Sequence, residues 1–177
     1  MSNPPAPRRG PVLNIDEAEE CESASGDHWG GTYKVLTPYM EDNGGELCAN
    51  LSRMPPGRVG CPHHYHMLDD ELFFVVSGTG LLRYGDDCYP IRPGDMISCP
   101  AGTRTAHQIA NTGKEDLVYI GIGRNSANEV CVFPDSGKIH IRGLKLKGRL
   151  AETEFMDGEP EPPLILTMTG GESTGTD

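Results

Sequence analysis

The sequence predicts an all-β domain of short antiparallel strands, and three observations carry that expectation. Gly 23 and Pro 15 among 177 residues supply turn formers along the whole chain. Turn signals recur at short intervals between apolar segments, the pattern of sandwiches and barrels. Between Trp29 and Gly123 no apolar stretch has the length and period of an ordinary helix. At 19.2 kDa the chain suits one such domain with short appendages.

The elements follow from the punctuation. Residues 1–11 hold four prolines and two arginines without apolar periodicity, and the stretch to Ser25 is mostly acidic and small. Residues 1–26 therefore read as a mobile or draped N-terminal arm. It has room for a short helix starting near Asp16, because Asp16, Glu17, Glu19 and Glu20 suit a helix N-terminus.

Turn signals then fall at Asp42-Asn43-Gly44-Gly45, Pro55-Pro56-Gly57, Ser77-Gly78-Thr79-Gly80, Gly85-Asp86-Asp87, Arg92-Pro93-Gly94 and Asn111-Thr112-Gly113. Between them strands are expected at 47–54, 71–76, 81–84, 95–99, 106–110 and 117–122. Beyond Asn125, residues 130–133 and 138–141 add edge strands, closing a domain over 27–150. Lys138, Arg142, Lys145, Lys147 and Arg149 read as a solvated edge that charge protects from aggregation. They could also face Glu152, Glu154, Asp157, Glu159 and Glu161, with exposed pairs contributing about 0–1 kcal/mol each. Residues 151–177 read as an acidic, disordered tail whose apolar island, 164–168, could dock on the barrel or on a second subunit.

Charge and cysteines narrow the function. A net charge of −11 would repel a polyanion, so a nucleic-acid partner is not expected. The opening MSNPPAPRRG lacks the apolar core of a signal peptide, and no run approaches the ~18 apolar residues of a membrane span. The expected compartment is the cytosol, with no membrane partner. Cys21, Cys48, Cys61, Cys88, Cys99 and Cys131 form no C-x-x-C pair, which fits free thiols there.

The run Cys61-Pro62-His63-His64-Tyr65-His66-Met67-Leu68-Asp69-Asp70-Glu71 carries the chemistry. In an extended chain, residues two apart share a side, so His64 and His66 aim at one point while His63 and Tyr65 turn away. After a turn, Glu71 opens a strand whose carboxylate could meet both imidazoles. Two histidines and a carboxylate leave coordination positions free, as in non-haem iron sites. His107 is the best fourth ligand, since it opens another strand after Pro100-Ala101-Gly102-Thr103. Chance alone gives roughly 0.2 H-x-H tripeptides in this composition, but only about 0.002 with Glu and Gly at the observed offsets.

His64-Tyr65-His66, four residues, Glu71, six residues and Gly78 resembles the first motif of the cupin superfamily. Gly94, five residues, Pro100, one residue, Gly102, four residues, His107, three residues and Asn111 is similar to the second. Arg58 stands where that family has a glycine before the first histidine, and two extra residues separate Gly102 from His107. LSRMPPG, CPAGTRTAHQIANTG and VFPDSGK further resemble a group of single-domain bacterial cupins described as mannose-6-phosphate isomerase-like. The resemblance implies a double-stranded β-helix, or cupin jelly roll, a homodimer, and metal ligands at His64, His66, Glu71 and His107. Asp69, Asp70 and His63 read as exposed neighbours, and His28 and His140 as surface or packed imidazoles.

One divalent ion on this set, whether Fe, Mn, Ni, Zn or Cu, would keep a formal charge of +1 and favour a small anionic substrate. A sugar phosphate or carboxylate fits that description, with isomerase-, epimerase-, decarboxylase- or dioxygenase-like chemistry. The competing reading is a non-catalytic cupin that binds the metal or a small ligand. Candidate substrate-orienting residues are Arg83, Tyr84, Arg104 and Asn111. Each has a plainer role: Arg83 as a solvated strand residue, Tyr84 as core, Arg104 as a loop tip and Asn111 as a turn former. Phe73 and Val75 share parity with Glu71 and should wall the interior.

Overall fold

The computed structural model describes residues 10–168. Strands β1 (Glu20–Ser25), β2 (Trp29–Val35) and β3 (Leu47–Met54) come first, with a short helix α1 (Pro38–Asp42) between the last two. Next are β4 (Tyr65–His66), β5 (Glu71–Ser77), β6 (Gly80–Tyr84), β7 (Asp87–Ile91), β8 (Met96–Cys99), β9 (His107–Ala110) and β10 (Leu117–Arg124). The described chain continues through β11 (Val130–Phe133), a 3-10 turn (Pro134–Ser136), β12 (Lys138–Ile141) and β13 (Leu146–Arg149) to a four-residue helix, α2 (Leu164–Thr167).

Six strands form one sheet in the order β1-β2-β3-β10-β5-β8. Opposite it lie β13-β12-β11-β4 and β7-β6-β9. An antiparallel bridge between His64 and His107 joins these two pieces into a single wall. The interior between the walls is packed by Met54, Val75, Leu82, Ile91, Ile97, Cys99, Ile109, Leu117 and Tyr119. In β5 the period of two is clean: Glu71, Phe73 and Val75 face in, whereas Leu72, Phe74 and Val76 are exposed. The fold is the antiparallel all-β domain expected from the turn spacing, in the jelly-roll form that the resemblance implies.

The ends of the chain depart from the sequence reading. Residues 20–25 are not the end of an arm. They form β1, paired with β2 from Glu20↔Lys34 to Ser25↔Trp29, and Asp16 lies in a turn rather than a helix. Glycine permits the close pairing here: a Cβ at Gly30 would fall on the Ser23 carbonyl, and one at Gly31 on that of Arg53. Residues 151–168 are exposed throughout, α2 included, so the apolar island at 164–168 is not docked on the barrel. The remaining expectations for residues 1–9 and 169–177 fall outside the described residues. No helix among the described residues is long and apolar enough to cross a membrane.

Candidate metal centre

Backbone pairing builds the site before side chains meet. The His64 amide donates to the His107 carbonyl at 3.2 Å, and the His107 amide donates back to His64 at 2.8 Å. β4 pairs with β11 through Cys131↔His66, and the Gly102 amide donates to the His66 carbonyl at 2.9 Å. The two extra residues before His107 are taken up in the loop, where Arg104 adopts φ 59° and Gly102 φ 73°. His107 therefore reaches its place despite the longer spacing.

On the facing sheet, Glu71 opens β5 opposite Gly123 of β10, and Phe73 lies opposite Gly121. A Cβ at Gly123 would stand 3.3 Å from the Glu71 Cγ, so the missing side chain makes room for the carboxylate.

The structure brings His64, His66, Glu71 and His107 together. Their Nε2 atoms lie 3.9, 3.2 and 3.0 Å, respectively, from one oxygen, Glu71 Oε2. Two ligand atoms at about 2.1 Å from a common ion and 90–110° apart are separated by about 3.0–3.4 Å, which the His66 and His107 spacings to Glu71 meet and the His64 spacing exceeds; ligand atoms of His64, Glu71 and His107 lie within 4.8 Å of one another. His66 Nε2, His107 Nε2 and Glu71 Oε2 are buried without an aligned hydrogen-bond partner. Buried polar atoms seldom lack partners, and here they converge. Residues of this chemistry fit a divalent cation.

The electrostatics follow from burial and crowding. Burial, then the neighbouring His107, pushes the His64 imidazole down to about 4. His66 is raised: burial acts to lower it, but Glu71, then Glu129 and Asp69, outweigh that effect. Burial also acts to raise Glu71, yet contact with His107 and His66 holds its carboxyl well below the usual range.

The surrounding shell orients the rings. His64 Nδ1 lies 2.7 Å from the Pro62 carbonyl, an acceptor that favours a proton on Nδ1 and a lone pair on Nε2. Phe133 stacks on the same ring at 5.7 Å between centroids. Glu129, only 1% exposed, accepts from the Met67 and Leu68 amides at 2.8 and 3.0 Å, and its Oε1 lies 3.5 Å from His66 Nδ1. Cys131 also approaches His64 and His66, but burial pushes its thiol up to about 12, leaving it protonated.

Several residues sit elsewhere than the sequence reading placed them. Asp69 is 1% exposed rather than solvated, because it accepts from the Ser126 amide at 3.0 Å and from Arg142 Nη1 at 2.8 Å. Arg142 is thus committed to a buried carboxylate and does not belong to a solvated edge. His63 is also buried, with Nδ1 3.4 Å from Asp135. Arg83 donates to both oxygens of Asp135, at 2.7 and 3.2 Å, and Arg104 stands in its loop. Asn111 donates to the Met54 and Glu115 carbonyls at 2.7 and 2.8 Å, locking a turn. Tyr84 packs against the core.

None of Arg83, Tyr84, Arg104 and Asn111 lines the cavity beside the cluster. That cavity, about 210 Å³, is lined by His66, Glu71 and Phe73, with Asn50, Ser52, Tyr119, Arg124 and Arg142 also on its wall. Val75 lies in the core.

The family described as "Cupin domain" matches residues 50–123, the segment that holds all four clustered side chains. The barrel has the cupin jelly-roll fold.

An oxalate-binding protein of Thermotoga maritima is 27% identical to this chain over 88 residues, which is 50% of this chain and 69% of that one. A 5-nitrosalicylic acid 1,2-dioxygenase of Bradyrhizobium sp is 32% identical over 65 residues, covering 37% of this chain but only 30% of the dioxygenase. Among solved structures, a sugar phosphate isomerase of the cupin superfamily from Silicibacter pomeroyi superposes with a TM-score of 0.63. It is 25% identical and covers 85% of this chain and 96% of that chain.

Proposed function

We propose that this cupin holds one divalent metal ion on His64, His66, Glu71 and His107 and acts on a small anionic molecule, a carboxylate or sugar phosphate. The observation carrying this reading is the convergence of three imidazole nitrogens on one oxygen of Glu71, within 3.0–3.9 Å. When bound, the ion supplies Lewis acidity toward an anionic or carbonyl oxygen. Three neutral imidazoles and one carboxylate leave it a formal +1. The chain supplies the rest: Glu129 and the Pro62 carbonyl set ring orientation, Phe73 and Tyr119 keep the cavity wall apolar, and Asn50 and Ser52 offer polar contacts.

Among the described residues, no carboxylate or imidazole outside the proposed metal set lines the cavity. Proton shuttling between carbons would then fall to Cys48 or Tyr119, and burial raises the pKa of both, leaving them protonated. Dioxygenase-like chemistry, or binding without turnover, therefore suits the lining better than an isomerase or epimerase. The names of the Bradyrhizobium and Thermotoga relatives agree with these two outcomes. Membership of the mannose-6-phosphate isomerase-like group remains part of the reading, supported by the Silicibacter neighbour.

The deciding experiment begins with protein purified without chelator or histidine tag. Elemental analysis should find about one divalent ion per chain, and a metal-free protein that takes up no ion would end the proposal. Oxygen uptake by the iron-loaded form then marks a dioxygenase, proton exchange in deuterated water marks an isomerase, and ligand binding without either marks a binding protein. The reading includes a homodimer: Leu72, Phe74, Val76, Met96 and Ile122 leave an apolar outer face on the six-stranded sheet that a second copy would cover. Light scattering at twice 19.2 kDa is the expected result.

A further inference from the structure

Two arginines, Arg124 and Arg142, stand on the wall of the cavity beside His66 and Glu71. They are held differently. Arg124 directs both Nε and Nη2 to Glu46 Oε2, at 2.9 and 2.7 Å, and its side chain is half-exposed. Arg142 is gripped by one nitrogen: Nη1 donates to Asp69 Oδ2 at 2.8 Å and to the Ser126 carbonyl at 2.6 Å. Its backbone amide is also fixed, donating to the Glu129 carbonyl at 2.9 Å.

Asp69 is fully buried and takes the Ser126 amide on its other oxygen, so the anchor is rigid. Among the described residues, Arg142 Nε and Nη2 have no protein acceptor, while the side chain is 32% exposed and lines the cavity. Neutralising Asp69 accounts for Nη1 alone. It does not account for a second, unused edge of the guanidinium at a cavity wall.

We infer that Arg142 is the specificity-determining residue of this cavity, its free guanidinium edge receiving a second anionic group of the ligand. The inference rests on the metal reading above: one end of the ligand sits at the metal set, and a carboxylate or phosphate at the other end meets Arg142. A guanidinium has five donors in a planar fork, so it can serve Asp69 from one side and a carboxylate or phosphate from the other. A charge-assisted, paired contact of that kind selects for planar or tetrahedral oxyanions over neutral groups. The cavity, about 210 Å³, is below the usual drug-sized range, so the ligand has few carbons. Asp69 acts through Arg142 as a positioning residue.

The test uses full-length protein loaded with Mn²⁺ and titrated calorimetrically with three probes. 2-Phosphoglycolate and malonate carry two anionic ends, and glycolate carries one. Wild type should prefer the two-ended probes. Arg142→Lys keeps a cation for Asp69 but has no second edge, and Arg142→Gln removes the charge. Arg53→Gln, in an exposed pair with Asp116 away from the cavity, controls for net charge.

Both Arg142 variants should retain metal by elemental analysis, lose roughly tenfold to a hundredfold in affinity for the two-ended probes, and bind glycolate unchanged. Should Arg142→Gln fail to fold, Arg142→Lys decides alone. Undiminished affinity in a metal-loaded Arg142→Lys overturns the inference and leaves the metal reading standing. A metal-loaded wild type that shows no preference for two-ended probes does the same. Wild type that takes up no Mn²⁺ overturns both.

Discussion

The two ends of the barrel are built from the same strands and share inward-facing parity, yet they differ in kind. At one end β3, β5 and β10 contribute Met54, Val75 and Leu117, all at most 2% exposed. At the other, the same three strands contribute Cys48, Glu71 and Gly123, in register as Cys48↔Gly123 and Glu71↔Gly123. Alternation decides which face a side chain joins and says little about depth along the strand. Residue type supplies that second coordinate: large aliphatic groups close one end, and a carboxylate beside a glycine opens the other.

Breaking the open end should leave the closed end intact. His107→Ala keeps the main-chain pair with His64, since both bonds use backbone atoms, and removes only the ring. Metal occupancy should fall to near background by elemental analysis while the far-ultraviolet circular dichroism is unchanged. Loss of the fold would show the two ends to be one unit.

The reverse experiment is Leu117→Ala, which hollows the closed end. Burial at 0% predicts destabilisation of about 2–5 kcal/mol in urea titration, with one metal per chain still bound by the folded fraction. Glu129→Gln probes the layer behind the rings. It keeps only one of the two oxygens that accept from the Met67 and Leu68 amides and loses the charge beside His66 Nδ1, so metal affinity should drop about tenfold to a hundredfold in a chelator competition assay. The smallest effect is expected from Gly123→Ala, whose new methyl would stand 3.3 Å from Glu71 Cγ. A several-fold loss of metal affinity with unchanged urea midpoint would show that the glycine serves the carboxylate rather than the sheet.

Legibility followed sequence distance. His64, His66 and Glu71 lie within eight residues, where strand period and one turn limit the geometry, and Phe73 and Val75 inherit the parity of Glu71. His107 was readable through its second motif and the loop before it. Asp69, Glu129 and Arg142 were not. Leu68-Asp69-Asp70 has the composition of a solvated turn, and Asp69 becomes buried only because Ser126 and Arg142 arrive from far along the chain. No local pattern encodes that meeting.

β7 was hidden by Pro90, which a strand tolerates because β7 is the edge of its sheet. β1 was missed because its acidic stretch reads as part of the arm, and β2, inside the expected β-domain, was given no strand, whereas its glycines allow the hairpin to lie close on β3.

The bridge between His64 and His107 has a consequence for how the protein is made. It is the seam that joins the halves of one wall, and its partners are far apart in the order of synthesis. A ribosome releases the first histidines long before the last one emerges, so the growing chain cannot offer a finished nest to a passing cation. On the proposed metal reading, selection of an ion would be deferred until the roll has zipped shut, when contacts of high sequence separation finally form. In a refolding trace the uptake of metal should coincide with the slowest tertiary phase and never precede it.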